Sequence, residues 1–445
     1  MHPKFAVVGH PNKGKSTIVA NLAMDDSIAI SPLPGTTIKA ASYPLKIDGK
    51  IIYELIDTPG FQRPRAIYAW LSQKDVPIHL RFERLKEFIE TFKDDERFRE
   101  DIEILRPIVQ GAGIIYVVDA SKPYSLEFEL DMKILSYAGA PSMAILNFIE
   151  QEDYSKEWKS VLTHYFKIIK RFNPMKSSLK EYKTLLEALS HLNDEWFTPM
   201  QEAKKAIDML YKQKIAQSAL FIAQFLKECA TFSIKSTNKT KEQLLKEFKR
   251  KITAKEKKLF ENIIKIWEHH NILIDLKEID FSFDIFSQES KEIFGLSQKE
   301  ALMIGAGVGA TIGGGIDLAF LGHTLLAGAG IGALLGGIGA YLGFEKALEV
   351  KVLGVELGKE ILQVGPIKEK NFLFILLNRA LFFTKTVATL SFAKRETIIL
   401  QEAKELLKQK EKKEFFALLG NLDKNYDKLI KAIDAILTRV IKDEA

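Results

Sequence analysis

Nine consecutive residues near the start of the chain have types and spacing suited to holding polyphosphate: Gly9-His10-Pro11-Asn12-Lys13-Gly14-Lys15-Ser16-Thr17. They fit the pattern Gly-x-x-x-x-Gly-Lys-Ser/Thr in full. Glycines at 9 and 14 let the backbone curl until its N–H groups converge on phosphate oxygens. A helix beginning there adds its positive end, roughly half an elementary charge. Lys15 would neutralise the outer phosphates, and the Ser16 hydroxyl would bind Mg²⁺. Two further loops carry compatible chemistry. Ser31-Pro32-Leu33-Pro34-Gly35-Thr36-Thr37-Ile38-Lys39 is broken by proline and glycine, and Thr37 is the candidate to reach Mg²⁺ when a γ-phosphate is present. Asp57-Thr58-Pro59-Gly60 offers a carboxylate for the ion and the Gly60 N–H for the γ-phosphate.

These residues need strands and a helix to position them, and the text supplies both. Phe5 to Val8 reads as a buried strand, Thr17 to Met24 as the opening of a helix, and Ala41 to Ile47 with Ile51 to Ile56 as a hairpin turned by Asp48-Gly49. Pro44 predicts an edge position for the first hairpin strand, because proline has no N–H to offer a neighbour. Strands at Gly113 to Val118, Ser142 to Leu146 and Phe166 to Phe172, with helices at Ser155 to Thr163 and Leu179 to Leu192, continue the alternation. The pattern implies an open, mostly parallel α/β sheet with its ligand at the strand C-termini. About fifty residues between Gly60 and Gly113 exceed an ordinary connection. Glu83 to Phe92 and Glu96 to Val109 carry helical spacing there, so 62–110 reads as a helical insertion at the place of the second switch. Arg63 and Arg65 are candidates to approach the phosphates.

The three loops, Gly9 to Ser16, Pro34-Gly35-Thr36-Thr37 and Asp57-Thr58-Pro59-Gly60, resemble those of the Era-like branch of translation-factor-related GTPases. The resemblance implies GTP as substrate, GDP and phosphate as products, and Mg²⁺ held by Ser16, Thr37 and Asp57. In members that use potassium, the asparagine of Gly-x-Pro-Asn-x-Gly-Lys-Ser is a K⁺ ligand, and Asn12 occupies that place. It assigns Lys15, Thr37 and Gly60 to catalysis, and Asn12, Lys13, Gly14, Lys15, Ser16, Thr17, Asp57, Gly60, Asn147 and Glu150 to the nucleotide. The residue after Asp57-Thr58-Pro59-Gly60 is Phe61, not a glutamine, so hydrolysis would rely on ion charge and backbone positioning of water. Gln62 stands one place later. The sequence departs from the family at base recognition: Asn147-Phe148-Ile149-Glu150 replaces Asn-Lys-x-Asp. Phe148 could cover a base face as the lysine stem does, and Glu150 could accept the N1 and exocyclic N–H groups of guanine across a longer reach. The last family loop has only Asn173-Pro174-Met175-Lys176-Ser177-Ser178 as a counterpart.

At 445 residues the chain needs at least two cores. Residues 1–193 are expected to form the GTPase domain and 194–445 a mainly helical domain, with long amphipathic helices at Gln201 to Phe232 and Lys241 to His269. Apolar helices follow at Asn371 to Leu390, Glu402 to Leu419 and Tyr426 to Ile441. Lys and Arg number 64 against 58 Asp and Glu, a net +6, which demands no nucleic acid. One cysteine, Cys229, excludes an intrachain disulfide and suits a reducing compartment. Met1-His2-Pro3-Lys4 leads straight into a strand, which reads as an unexported, cytoplasmic protein.

Small residues recur every fourth position from 301 to 344: Gly305, Gly309, Gly313, then Gly328, Gly332, Gly336. Seven glycines between Thr324 and Phe344 would cost an isolated helix about 5 to 7 kcal/mol relative to alanine. Close backbone contact would offset that, so the stretch reads as a glycine-zipper helical hairpin. Its second arm, as a helix about 31 Å long, matches a hydrocarbon core. The partners to expect are a guanine nucleotide, a membrane surface or membrane protein at the inner face reached through 301–344, and a second copy through the GTPase domain. Nucleic acid ranks last, though a soluble ribosome- or tRNA-associated GTPase is the chief rival. A binding scaffold with negligible turnover is the third reading.

Overall fold

The computed structural model describes residues 2–28, 37, 39–269, 345–347, 361–367, 370–393 and 406–443. The expected hairpin at 301–344 and most of the loop Ser31 to Lys39, including Pro34, Gly35 and Thr36, lie outside these residues.

The first part is a six-stranded sheet in the order β2-β3-β1-β4-β5-β6. Its strands are β1 (Lys4–Val8), β2 (Ala41–Ile47), β3 (Lys50–Asp57), β4 (Gly113–Asp119), β5 (Ser142–Asn147) and β6 (Ile168–Arg171). β2 runs antiparallel to β3 and every other pairing is parallel. Pro44 therefore sits on the edge strand, where its missing N–H costs no ladder bond. Asp48 and Gly49 both take positive φ, 50° and 76°, the backbone that twists a two-residue hairpin correctly. Helices α1 (Lys15–Ala23), α2 (Pro64–Leu71), α3 (Arg81–Phe92), α4 (Arg99–Val109), α5 (Glu127–Ser136), α6 (Ser155–Leu162) and α7 (Leu179–Ser190) cover the two faces. Two apolar cores result, one with α2 to α6 and one with α1 and α7. Residues 62–110 carry α2, α3 and α4. The pattern did not reveal α2 or α5.

The expected boundary at 193–194 coincides with the start of α8 (Asp194–Thr231), an unbroken helix of 38 residues. Its first half belongs to the sheet: Trp196, Met200, Ala203 and Ile207 are buried in the core that contains Phe5 and Val7. The Trp196 ring meets Phe5 edge-on at 5.0 Å. Gly113 at the head of β4 makes the room, since a methyl there would lie 2.5 Å from the indole. From Ile215 onward α8 is buried in a second, helical half.

That half packs α9 (Lys241–Ile266), α10 (Lys370–Ala388), α11 (Gln409–Leu418) and α12 (Leu422–Asp443) around α8. A small antiparallel sheet joins β7 (Ile234–Ser236), β8 (Glu345–Ala347) and β9 (Ile361–Val364) in the order β7-β9-β8. Among the described residues α10 is the one helix long and apolar enough to cross a membrane, and 72% of its apolar window is buried inside the protein. Its Arg379 is fully buried against the carboxylate of Glu256, with bonds of 2.7 and 3.0 Å. Here α10 is a buried helix of the helical core.

Candidate functional site

The phosphate loop leaves β1 through Gly9, at φ 149°, and enters α1 through Gly14, at φ 85°. A side chain on Gly14 would collide with the amide of Asn147, so the glycine is required by conformation and by space together. The Lys15 ammonium lies folded into the loop, donating to the carbonyls of Gly9 at 3.1 Å and His10 at 3.0 Å. Burial pulls its pKa down to about 8, against the attraction of Asp57 and Asp131. Phosphate oxygens would replace the two carbonyls without moving the lysine far. Asn12 is exposed at φ 58°, and Lys13 spans toward the Phe128 ring at 5.4 Å. Thr17 is half-buried on the first turn of α1.

Asp57 arrives at the end of β3, in register with Val7 of β1, one strand over from the loop. Its Oδ2 accepts the Ser16 hydroxyl at 2.7 Å and the Thr37 hydroxyl at 3.0 Å, and those two hydroxyls lie 3.4 Å apart. Its Oδ1 is buried with no hydrogen-bond partner. Burial raises the carboxyl's pKa, opposed by the two hydroxyls and by Lys15. An orphaned carboxylate oxygen, two hydroxyls and a lysine in one corner form an oxygen-rich donor set that fits Mg²⁺, which takes one or two carboxylates together with substrate phosphates. The Thr58 hydroxyl donates to the Val7 carbonyl at 2.7 Å and fixes the strand exit. Gly60 is pressed against Pro11 so closely that a methyl would lie 2.5 Å from the proline ring. The second-switch backbone thus rests on the phosphate loop.

Phe61 is buried in the core below, so no side chain from that position faces the phosphates. Gln62 donates its side-chain amide to the Gly60 carbonyl at 3.0 Å. Its backbone N–H, and that of Arg63, reach the Asp101 carboxylate at 2.9 and 3.4 Å. Arg63 and Arg65 are exposed. Two residues on, Glu103 accepts the Ala40 N–H at 3.0 Å. Helix α4 therefore holds the chain just after Thr37 and just after Gly60. Asp101 has no exposed surface, and burial lifts its pKa to about 6. Its folded carboxyl keeps a proton to higher pH than an unfolded one near 4, so stability falls as pH rises through 4 to 6, and the deficit persists above. Asp101→Asn keeps an acceptor for both N–H groups and removes the buried charge. It is expected to stabilise the protein by about 1 to 2 kcal/mol at pH 7.5 and by much less at pH 4.5, readable from denaturant midpoints at the two pH values.

On the base side, Asn147 ends β5 and donates to the Lys13 carbonyl at 3.0 Å, while its own oxygen accepts the Phe148 N–H. Phe148 carries the Arg171 guanidinium 4.5 Å above its ring and packs into the core, so that face is not open to a base. Glu150 is exposed and ion-paired with Lys122. The loop after β4 supports it further: the Ser121 hydroxyl accepts the Glu150 N–H at 3.1 Å and donates to Asp119 at 2.5 Å. Asn173 donates to the Phe148 carbonyl at 3.3 Å, joining the loop Asn173 to Ser178 to the same corner.

The structure thus brings Lys15, Ser16, Thr37, Asp57 and Gly60 to one end of the cleft, and Asn147 and Glu150 to the other. Sequence reasoning missed the residues behind them: Asp101, Lys122, and the pair His10–Asp131. Asp131 on α5 has no exposed surface and binds His10 Nδ1 at 2.9 Å, anchoring the second residue of the phosphate loop. The available signal was a carboxylate on the apolar face of a short helix, between Phe128 and Met132.

Residues 4–148 match the family described as 50S ribosome-binding GTPase, and residues 159–429 match the domain of unknown function DUF3482. The second match begins within the nucleotide domain, ahead of β6, and runs through α8 into the helical half. The chain is 30% identical over 156 residues to GTPase Der of Aromatoleum aromaticum, covering 35% of this chain and 29% of that protein. It is 27% identical over 218 residues to GTPase Der of Clostridium acetobutylicum, covering 49% and 42%. It thus spans under half the length of these relatives. A crystal structure of Aquifex aeolicus Era bound to GDP and AlF4⁻ overlaps 49% of this chain and 67% of that one, at 16% identity and a TM-score of 0.28. On the matched families the chain belongs to the DUF3482 family, and its residues 4–148 carry a P-loop domain that matches the family described as 50S ribosome-binding GTPase.

Proposed function

We propose that the protein binds GTP with Mg²⁺, hydrolyses it to GDP and phosphate, and uses the γ-phosphate to set the two switch loops that α4 grips. The observation that carries this reading is the corner in which the Ser16 and Thr37 hydroxyls converge on Asp57 while its other oxygen stays buried and unpartnered. Mg²⁺ bound there would neutralise charge on the β- and γ-phosphates. Lys15 would hold the same oxygens from the loop side, Thr37 would register the triphosphate, and the Gly60 N–H would serve the terminal phosphoryl group. With Phe61 buried, water would be oriented by backbone groups and by cation charge, and Asn12, exposed in the phosphate loop, is the residue that would ligate K⁺. Asn147 and Glu150 select guanine, whose N1 and exocyclic N–H groups suit a carboxylate.

The helical half would couple that switch to an anionic membrane surface. Two features support this: the glycine-rich, largely apolar text of 301–344, interrupted only by Asp317 and His323, and five exposed cations on α9, Lys246, Arg250, Lys251, Lys258 and Lys265, none ion-paired among the described residues. The ribosome remains the alternative, from the description of the family that 4–148 matches. Competition of GTP against ATP for the purified protein should show guanine preferred, with hydrolysis faster in K⁺ than in Na⁺. Flotation with anionic vesicles is expected. Salt-sensitive co-sedimentation with ribosomes without flotation would favour the alternative, and equal competition by ATP would overturn the guanine assignment.

A further inference from the structure

The loop Asn173 to Ser178 is held from outside the nucleotide domain. The Pro174 carbonyl accepts the hydroxyl of Ser391, three residues past the end of α10. Asn21 of α1 donates to the same carbonyl at 3.2 Å and to the Ser391 oxygen at 2.9 Å. Its own oxygen accepts the Ser177 hydroxyl at 3.2 Å. The Ser391 oxygen also accepts the Ala393 N–H at 3.0 Å, which closes the turn around it. Asn21 and Ser391 are each 6% exposed. One serine of the helical half therefore touches both arms of the nucleotide cleft. Through Asn21 it reaches α1, whose first turn carries Lys15 and Ser16. Through Pro174 and Asn173 it reaches the Phe148 carbonyl, and so the loop that holds Asn147 and Glu150.

A second contact lies beside it. His269, after α9, bonds the Val387 carbonyl at 3.2 Å, stacks on Phe392 with ring centres 4.6 Å apart, and stands 3.9 Å from the Asp26 carboxylate. Asp26 follows α1 and precedes the first switch loop. A cavity of about 210 Å³, lined by Asn21, Ser177, Tyr182, Ser391 and Phe392 among others, separates parts of the two halves here. Among the described residues the junction therefore includes a set of hydrogen bonds beside a cavity.

We infer that this junction sets nucleotide residence time. With Ser391 seated, α1 and the base-side loop are held together around the nucleotide. When the turn 389–393 withdraws, both arms loosen and the nucleotide leaves. The Ser391 contacts fall on the base side and midway along α1, away from Thr37 and Gly60, so release of GDP and GTP should respond alike to their loss. The inference rests on the proposed binding of guanine nucleotide at Asn147 and Glu150, the corner that the 173–178 loop adjoins. By linkage, whatever the junction does for nucleotide affinity, nucleotide does for the junction. A partner that pulls on the helical half would then act as an exchange factor.

The test uses the full chain and fluorescent analogues of GDP and of a non-hydrolysable GTP, with release followed by stopped flow. Ser391→Ala and Asn21→Ala should each speed release of both nucleotides about tenfold, the scale of one buried hydrogen-bond network member. The double variant should be little faster than either single one, because the two residues act as a unit. Turnover at saturating GTP should change less than twofold. Ser391→Thr, which keeps the hydroxyl, should release at the wild-type rate. In the wild type, nucleotide should slow amide exchange across 386–393. Normal wild-type binding with unchanged release from Ser391→Ala, acceleration confined to the triphosphate, or no protection of 386–393 would each overturn the inference alone. Failure of the wild type to bind either nucleotide would overturn the underlying reading.

Discussion

Lys15→Ala is expected to weaken binding of both GDP and GTP by about a thousandfold or more, measured by titration calorimetry. The ammonium is already buried and aimed, donating to the Gly9 and His10 carbonyls. Its transfer to phosphate oxygens exchanges neutral acceptors for charged ones, each worth about 1.5 to 3 kcal/mol. Two such bonds, with the buried positive charge itself, account for about 4 kcal/mol. The variant also leaves two loop carbonyls without their donor, which loosens the cradle. The same lysine gives a pH signature. With its pKa near 8 in the free protein, affinity should fall as pH rises above that value, since only the protonated form meets phosphate. Flat affinity between pH 7 and 9.5 would remove Lys15 as the group that titrates.

Thr37→Ala should separate binding from switching. The Thr37 hydroxyl meets Asp57 Oδ2 at 3.0 Å and stands 3.4 Å from the Ser16 hydroxyl, so its contact with the phosphate loop is confined to the corner where Mg²⁺ would bind. GDP affinity should therefore stay within about twofold of wild type. GTP affinity should drop about tenfold and single-turnover hydrolysis about a hundredfold, because one oxygen donor is lost where charge develops in the transition state. An unchanged preference for triphosphate over diphosphate would remove Thr37 from the role. Ser16→Ala serves as the contrast, since its hydroxyl lies on α1 and is required with either nucleotide.

What could be read from residues alone was what is local. The phosphate loop, the strand before it, the hairpin with Pro44 at its edge and the Asp57 turn are each set by a few neighbouring residues whose geometry has few alternatives. Residues that matter through distant partners were hidden. Asp101 and Asp131 stand on the buried faces of α4 and α5, where a carboxylate interrupts the apolar rhythm and blurs the periodic signal; each is there to hold a loop far away in the chain. Ser391 is one serine in a turn after an apolar helix, and only the fold shows that Pro174 and Asn21 meet it. Phe148 illustrates the opposite case. Its aromatic type suggested a cover for the base, whereas Arg171, 23 positions on, takes one face of the ring.

Helix α8 also bears on how the protein can be cut. Cleavage at Asn193 would strip Trp196, Met200, Ala203 and Ile207 from the sheet and bare Phe5 and its neighbours to water, leaving a sticky fragment. A soluble amino-terminal piece should instead carry the helix as far as about Tyr211. Even so, it would surrender Ser391 and hold its nucleotide more loosely than the whole chain. Rates taken on such a fragment would describe a GTPase relieved of its own brake on exchange.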